Sequence, residues 1–299
     1  MLDVVIIGSG PAGITAAIYA KRANLNVAVV EKEYLGTGQI AESSRVDNYP
    51  GIPGIDGYSL GEKFREHAES LGVEFTEAQV LSLGQKDGIW IIGCDEDITL
   101  ESKAVIYATG CKNRPLGVPG EEKYYGRGLS FCAVCDGAFY KGKRVAVIGG
   151  GDTALDDAMY LSDICEKVYL VHRREFFRGS ASTLEKLKQK ENVEIIVNVR
   201  VEEITGDKKI DGIILDNKTK LNISGLFAAV GMIPQTELLK EFGVLDESNY
   251  VKASEDTKTT VNGLFVAGDV RTKQLRQVVT AAADGANAIY SVMEYLRNI

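Results

Sequence analysis

Residues 2–13 read Leu2-Asp-Val-Val-Ile-Ile-Gly-Ser-Gly-Pro-Ala-Gly13. The β-branched apolar run predicts a buried parallel strand, and the alanine-rich stretch from Ile14 to Ala23 predicts a helix. Between them lies Gly-x-Gly-x-x-Gly, whose glycines permit a tight turn and let a pyrophosphate approach the free N–H groups of the helix N-terminus. Strand, loop and helix together predict a dinucleotide-binding unit rather than an ordinary glycine-rich turn.

The end of the next predicted strand indicates which nucleotide this unit binds. A second apolar run, Val27-Ala-Val-Val30, ends at Glu31. A carboxylate at the end of that strand can accept hydrogen bonds from a ribose diol. The first unit is therefore predicted to bind an adenine nucleotide that carries no 2′-phosphate.

The same design returns in the middle of the chain. Lys143-Arg-Val-Ala-Val-Ile148 predicts a strand, Gly149-Gly-Gly-Asp-Thr-Ala154 repeats the loop as G-x-G-x-x-A, and a helix is predicted to continue to Leu161. Such an internal duplication predicts two nucleotide-binding units in one chain.

The two units differ at the end of their second strand. In the repeat, the residue in the register of Glu31 is His172, and Arg173, Arg174 and Arg178 follow. A 2′-phosphate is bound by cations, whereas a free 2′-hydroxyl is bound by an acid. The second unit is therefore predicted to bind NADP, and the arginines to be more than a solvated basic turn.

A cysteine pair precedes the second unit in Ser130-Phe-Cys-Ala-Val-Cys-Asp-Gly-Ala-Phe139. If a helix begins here, Cys132 and Cys135 lie on one face and their sulfurs can bond. Asp136, directly beside the pair, is suited to moving protons. Thiols do not take a hydride efficiently from a nicotinamide, so a flavin is expected as the relay between them.

Metal binding is the main alternative for a C-x-x-C pair. A zinc site needs two further ligands, but the chain has only two histidines, His67 and His172, neither with suitable spacing. The other cysteines, Cys94, Cys111 and Cys165, are isolated and are expected to be packing residues. No metal site is predicted.

Composition excludes several classes of protein. The chain has 299 residues, a net charge of −8 and 45% hydrophobic residues. This acidic balance argues against general nucleic-acid binding. No apolar run approaches the roughly 20 residues that span a bilayer, and no signal peptide is visible. We expect a cytoplasmic protein that binds neither membranes nor nucleic acids.

The remaining segments suggest how the domains connect. Asn113-Arg-Pro-Leu-Gly-Val-Pro-Gly120 is the predicted linker. Residues 226–234 are predicted to contain an apolar strand that ends at a glycine, and this segment is predicted to close an inserted domain. The strand in Gly263-Leu-Phe-Val-Ala-Gly-Asp269 should return to the first domain and bring Asp269 near its cofactor, before a helix from Val279 to Leu296.

Taken together, these residues resemble the low-molecular-weight, bacterial-type thioredoxin reductases. The resemblance covers nearly the whole chain, and its most specific parts are Cys132-Ala-Val-Cys-Asp-Gly137, Gly149 to Ala154, His172-Arg-Arg174 with Arg178, and Gly268-Asp-Val270 with Arg276-Gln277. Two short stretches depart mildly from the family pattern: Thr37-Gly-Gln-Ile40, where Gly-Gly-Gln-Leu is usual, and Asp156-Asp-Ala158, where Glu-Glu-Ala is usual.

The resemblance implies an α/β fold with two Rossmann-like domains of the three-layer ββα type. An FAD domain in two segments, 1–113 and 242–299, would hold an inserted NADPH domain, 114–241. It also implies a homodimer that passes electrons from NADPH through FAD and the cysteine pair to oxidised thioredoxin. Cys135 would lie by the flavin, Cys132 would attack thioredoxin and Asp136 would be the acid. Segments near Arg114 and Glu241 to Gly243 would be hinges between two domain orientations.

The same carry-over gives two sets of cofactor contacts. Those for FAD are Gly8, Gly10, Pro11, Ala12, Gly13, Glu31, Gln39, Asn48, Gly110, Asp269, Arg276 and Gln277. Those for NADPH are Gly149, Gly151, Asp152, Thr153, Ala154, His172, Arg173, Arg174 and Arg178.

Other functions remain open at this point. A ferredoxin-driven relative keeps the fold but lacks the NADPH motifs, which this chain has. A reductase of a peroxiredoxin system would be expected to carry an extra N-terminal redox domain, whereas Leu2 already begins the first strand. A small disulfide is a further possible acceptor. A flavin-bearing redox sensor without turnover has no feature in its favour.

Overall fold

The computed structural model describes residues 1–33, 37–43 and 45–299. The chain divides into a first unit, Met1–Lys112 with Ile233–Ile299, and a second unit, Asn113–Met232. The departure lies within one residue of the predicted boundary. The return occurs at Ile233, earlier than the 242 that the sequence indicated.

Hydrogen bonds explain the early return. The hydroxyls of Tyr107 and Thr109 donate to the carbonyl oxygen of Gln235 at 2.9 and 2.7 Å. Leu239 is fully buried in a core of the first unit. These contacts attach the segment that follows Ile233 to the first unit, and they depend on residues distant in sequence, which a search for Pro/Gly linkers cannot detect.

The first unit is built on a parallel sheet. Its parallel strands lie in the spatial order Glu74–Glu77, Val27–Glu31, Leu2–Ile7, Thr99–Tyr107 and Leu264–Val266. Antiparallel strands extend it from the first half of Thr99–Tyr107, and these are Ile89–Cys94 and Val80–Lys86.

Both faces of this sheet are covered, which explains its continuous apolar strands. Val4 and Ile6 lie in a core shared with the helices that cover one face. Val5 and Ile7 lie in a second core with Trp90 of the antiparallel pair, so the layers are helix, parallel sheet and antiparallel sheet.

The second unit repeats this plan. Its parallel strands lie in the order Val193–Val197, Lys167–His172, Arg144–Ile148, Gly225–Ala228 and Leu129–Ser130. The antiparallel layer consists of Val201–Thr205, Gly212–Leu215 and Lys220–Asn222. The predicted fold class, two Rossmann-like units of the three-layer ββα type, is confirmed.

The helices start close to where the sequence predicted them. Pro11 occupies the first turn of the first helix, where its missing N–H is not needed. The helices are Pro11–Arg22, Gly57–Ser70, Ala133–Asp136, Asp152–Ser162, Ala181–Lys188 and Val278–Leu296. Short 3-10 helices occupy Gly38–Glu42, Glu121–Tyr124, Gly137–Tyr140 and Glu237–Phe242.

The apolar strand predicted within residues 226–234 was expected to end at a glycine. The structure has the strand Gly225–Ala228 before Gly231 and a second short strand, Met232–Pro234, after it. Between them Gly231 has a φ of +102°, outside the β region, so the backbone turns there. A short strand, Cys111–Asn113, completes the strands of the described chain.

A close helix contact gives a test of the packing in the first unit. Gly285, in the helix Val278–Leu296, lies against the helix Pro11–Arg22, and a Cβ there would come within 2.2 Å of the carbonyl oxygen of Ala12. Gly285→Ala should lower the free energy of unfolding by about 1–3 kcal/mol, because the helices must separate and this outweighs the better helix propensity of alanine.

Chemical denaturation followed by the fluorescence of Trp90 measures this effect, since the one tryptophan of the chain is buried in the first unit. Gly84→Ala is the matched control, because a Cβ at Gly84 would meet no atom within 4 Å. Equal stability of the two variants would contradict the packing argument.

Candidate active site

The cysteine pair forms a disulfide. Cys132 and Cys135 are bonded, with 5.3 Å between their Cα atoms. Cys132 is the N-cap of the short helix Ala133–Asp136, and the amide N–H of Cys135 donates to its sulfur at 3.2 Å. An amide that points at this sulfur stabilises a thiolate when the bond is reduced.

Asp136 is held beside the pair by a serine. The hydroxyl of Ser130 donates to Oδ2 of Asp136 at 2.6 Å and accepts from the amide of Cys132 at 3.1 Å. Burial raises the pKa of Asp136, and the bond from Ser130 offsets this only partly. A carboxyl group that keeps its proton to higher pH than a free aspartate can act as a general acid.

The pair is accessible, whereas the remaining thiols are not. Both bonded cysteines are partly exposed, and the side chain of Val134 between them is 53% exposed. Burial raises the pKa of Cys111 to about 12 and that of Cys165 to about 11, so neither is a ready nucleophile. Cys94 is buried too.

Two glycines of the first glycine loop lie so close to neighbouring main chain that a side chain would not fit. Gly8 has a φ of +103°, and a Cβ there would lie 2.5 Å from the carbonyl oxygen of Ala108. A Cβ on Gly13 would lie 1.9 Å from the carbonyl oxygen of Gly8. Gly10 caps the helix without a side-chain bond, so this end can receive a phosphate on backbone N–H groups.

Glu31 reaches this loop, through a residue that the sequence analysis did not identify. The amide and hydroxyl of Ser9 both donate to Oε2 of Glu31 at 2.9 Å, and the amide of Lys32 donates to Oε1 at 2.8 Å. The carboxylate is thereby fixed at the loop, and a ribose diol would share it with Ser9.

Other predicted FAD contacts converge on the same end of the sheet. Thr37 and Gly38 lie against Gly10, and Gln39 follows in the same short helix. Gly268 lies close to the first helix, because a Cβ on it would lie 2.9 Å from the Cβ of Ala12. Asp269 is the next residue, so its main chain is also near the start of this helix.

Asp269 has an unused acceptor. Its Oδ1 is buried and has no hydrogen-bond partner in the described chain. Burial raises the pKa of its carboxyl group, against the opposing charges of Lys273 and Arg276. A buried carboxylate oxygen without a donor is costly, and a hydroxyl group of a bound cofactor would satisfy it.

The remaining predicted FAD residues lie nearby in the first unit. The side-chain amide of Asn48 donates to Oε1 of Gln277 at 2.7 Å. Nε of Arg276 lies 3.4 Å from the carbonyl oxygen of Asp269, and its guanidinium covers the ring of Tyr250 at 4.3 Å. Gly110 has a φ of +66° and open space where a Cβ would be.

The second glycine loop is tied to the arginine segment. The amides of Arg178 and Gly179 donate to the carbonyl oxygen of Gly150 at 2.7 and 3.2 Å. The amide of Ser180 donates to Oδ1 of Asp152 at 2.7 Å. These bonds hold residues 178–180 against the start of the helix Asp152–Ser162.

The three arginines are exposed beside this loop, but His172 is not. The ring of His172 is 6% exposed and stacks on Phe177 with 4.9 Å between centroids. A Cβ at Gly150 would overlap the ring, and Nε2 lies 3.2 Å from the carbonyl oxygen of Phe176. Burial lowers the pKa of His172. The ring thus lies buried beneath the segment, where its charged form is disfavoured.

The other predicted NADPH residues divide in the same way. Asp152 and Thr153 are exposed at the first turn of the helix, whereas Ala154 is fully buried against Gly149. Gly151 caps the helix without a side chain. Ala154 therefore shapes the turn, and backbone N–H groups remain for a phosphate.

Two properties concern the described residues as a whole. None of their helices is both long and apolar enough to cross a membrane. Nor do three or more of their histidine, cysteine and acidic side chains gather as ligands of a metal ion.

Comparison with known proteins agrees with this geometry. A family model for pyridine nucleotide-disulphide oxidoreductase matches residues 2–285. The thioredoxin reductase of Bacillus subtilis is 38% identical, over 99% of this chain and 95% of its own. The 34.2 kDa protein in the rubredoxin operon of Clostridium pasteurianum is 39% identical, over 99% of this chain and 97% of its own.

A solved structure gives the same answer for the fold. The crystal structure of thioredoxin reductase from Streptococcus pyogenes has a TM-score of 0.94 and 39% identity, covering 100% of this chain and 99% of its own. The chain therefore belongs to the pyridine nucleotide-disulphide oxidoreductase family, together with the thioredoxin reductases.

Proposed function

We propose that the chain is an NADPH-dependent thioredoxin-disulfide reductase that uses FAD. The observation that carries this proposal is the partly exposed Cys132–Cys135 disulfide beside a half-buried acid, Asp136, in a chain with two nucleotide loops of different charge. Full-length similarity to thioredoxin reductases supports thioredoxin as the acceptor.

The first unit fits FAD. Backbone N–H groups after Gly10 would hold the pyrophosphate, Glu31 the ribose, and the unpartnered Oδ1 of Asp269 a hydroxyl group. When bound, the flavin would supply two-electron chemistry that links a hydride donor to a disulfide.

The second unit fits NADPH. Its glycine loop leads to a helix N-terminus with no side-chain cap, and its arginines stand where the first unit has Glu31. Arg173, Arg174 and Arg178 would bind the 2′-phosphate, and His172 would keep their segment in place from below.

The cysteine pair then performs thiol–disulfide exchange. Once the Cys132–Cys135 bond has taken up two electrons, the Cys132 thiolate attacks one sulfur of thioredoxin's disulfide and displaces the other as a thiolate, which takes a proton. Cys135 then attacks the sulfur of Cys132, which releases the second thioredoxin thiolate and restores the intramolecular disulfide. Asp136 would supply protons to these leaving thiolates.

A second candidate keeps the fold but changes the electron donor or the acceptor. The relative from Clostridium pasteurianum is named for a rubredoxin operon and not for thioredoxin. A donor or acceptor other than NADPH or thioredoxin is therefore the alternative that a comparison favours. We also propose a homodimer that works in the cytoplasm, where thiols are kept reduced.

The roles of the two cysteines can be separated. Cys135→Ser should retain FAD and its bleaching by anaerobic NADPH but lose thioredoxin turnover, because no resolving thiol remains. Mixed with oxidised thioredoxin, it should give a covalent adduct through Cys132, visible by non-reducing electrophoresis. Cys94→Ala, at a buried thiol, is the control. An adduct formed by Cys132→Ser instead would reverse the roles.

The arginine segment should select the phosphate. Arg173→Ala or Arg178→Ala should raise KM for NADPH about tenfold or more, with little change for NADH, because a charge-assisted bond to the 2′-phosphate is lost. Steady-state kinetics with both nucleotides measure this effect. Arg144→Ala is the matched control, since Arg144 is exposed in the same unit and pairs with Glu166. Equal losses for both nucleotides would refute the assignment.

Asp136 should produce a pH dependence. Because the pKa of this carboxyl is raised, its acid form persists to higher pH than in a free aspartate and is lost as pH rises through that value. Asp136→Asn should slow thioredoxin reduction about 10²-fold or more and abolish that pH limb, while anaerobic NADPH still bleaches the flavin. Rapid kinetics over a pH series check this, and an unchanged limb would exclude Asp136 as the acid.

A further inference from the structure

A buried ionic cluster lies directly behind Asp269. Asp284, in the helix Val278–Leu296, and Arg271 are 2% and 3% exposed. Arg271 donates from Nε to Oδ2 of Asp284 at 2.8 Å and from Nη2 to Oδ1 at 2.6 Å. The side chain of Lys273 is also buried, and its Nζ donates to Oδ2 at 2.9 Å.

The same carboxylate also holds the backbone. The amide of Gly268 donates to Oδ2 of Asp284 at 2.9 Å, and Gly268 has a φ of +82°. Asp284 therefore contacts the loop at residues 268, 271 and 273, on both sides of Asp269. These contacts leave the main chain at Asp269 little freedom.

The main chain of Asp269 is bonded from the other side as well. Its carbonyl oxygen accepts from the thiol of Cys111 at 3.0 Å and from Nε of Arg276 at 3.4 Å. On the side chain, the buried Oδ1 has no hydrogen-bond partner among the described residues. The bonds to the main chain thus fix the position of Asp269, and Oδ1 is available for a donor from a ligand.

The charges of the cluster matter to Asp269 too. One carboxylate, Asp284, faces two cations, and Lys273 and Arg276 act on the Asp269 carboxyl by opposite charge. Although burial raises the pKa of Asp284, the bonds from Arg271 and Lys273 outweigh it and lower the pKa, so Asp284 is ionised.

We propose that Asp284 is a positioning residue for the flavin: through Gly268, Arg271 and Lys273 it holds Asp269 so that Oδ1 accepts a hydrogen bond from a hydroxyl group of FAD. This inference rests on the proposed binding of FAD in the first unit. It assigns a role to a cluster that does not itself touch the cofactor.

The test is a double-mutant cycle on FAD affinity. FAD is titrated into apoprotein of the wild type, Asp284→Asn, Asp269→Asn and the double variant, with flavin fluorescence as the readout. Each single variant should raise the Kd about tenfold or more, because the hydrogen bond from FAD loses its charged acceptor in Asp269→Asn and is misaligned in Asp284→Asn. The Kd of the double variant should be no higher than that of the single variant with the higher Kd, since Asp284 acts through Asp269.

A merely structural role gives a different pattern. Asp3→Asn removes a partly buried bond from Lys103 in the same unit and is the matched control. It should leave the Kd and the flavin absorption bands unchanged, whereas Asp284→Asn should shift the bands. An Asp284→Asn variant that is less heat-stable but has the wild-type Kd, or losses that multiply in the double variant, would overturn the proposal.

Two further outcomes are informative. If Asp284→Asn does not fold, Arg271→Lys keeps the charge but not the two-pronged bond, and it should also weaken FAD; wild-type affinity there would overturn the inference. If wild-type apoprotein binds no FAD, the proposed function fails. If it binds FAD and only Asp269→Asn weakens it, the role of Asp284 alone fails.

Discussion

The structure depends on the contact between backbones at the turn from the first strand into the first helix. At Gly13 a single added carbon would overlap the carbonyl oxygen of Gly8, and at Gly8 it would overlap that of Ala108. Because the turn is so close, the helix starts at the carboxyl end of the parallel sheet with its N–H groups unblocked. Glu31 is the last residue of a strand that ends at this same edge, and Gly110 and Asp269 each come three residues after such a strand.

The repeat of this turn in the second unit shows which features the two units share and which differ. Gly149 is again blocked by a carbonyl oxygen, that of Ala229, so the turn has the same cause. The two units differ at the end of the second strand: the first has a carboxylate fixed by Ser9, and the second has a buried imidazole ring under exposed arginines. The two units thus share an architecture but carry opposite charges at equivalent edges of their sheets. An acid suits a ribose diol, whereas cations suit a phosphate.

Local sequence made much of the fold predictable, but burial and long-range bonds were not. The strand Leu2–Ile7, the two loops and the last helix follow from periodicity and glycine spacing, and these agree with the structure. The second compact unit ends at Met232 rather than at 241, and the bonds to Gln235 that accompany this come from residues more than a hundred positions away. In the site, the sequence did not reveal that the ring of His172 is buried under the arginine segment. The sequence does not single out Asp284, because one aspartate in an alanine-rich helix is common. Its role becomes visible only in the fold, where the amide of Gly268 donates to its carboxylate.

The short spacing of the cysteine pair fits a bond that opens and closes. In the chain-entropy account, a disulfide stabilises by restricting the unfolded chain, and a loop of four residues gives roughly 2 kcal/mol where a loop of a hundred gives about 5 kcal/mol. Cys132 and Cys135 are three residues apart, at the edge of a unit whose core holds Ala133 and the helix behind it. Since packing rather than the disulfide holds this segment in place, reduction breaks the S–S bond but lowers the free energy of unfolding only slightly. A reductase needs that separation, because its disulfide must break in every turnover while Asp136 and Ser130 stay in place beside it.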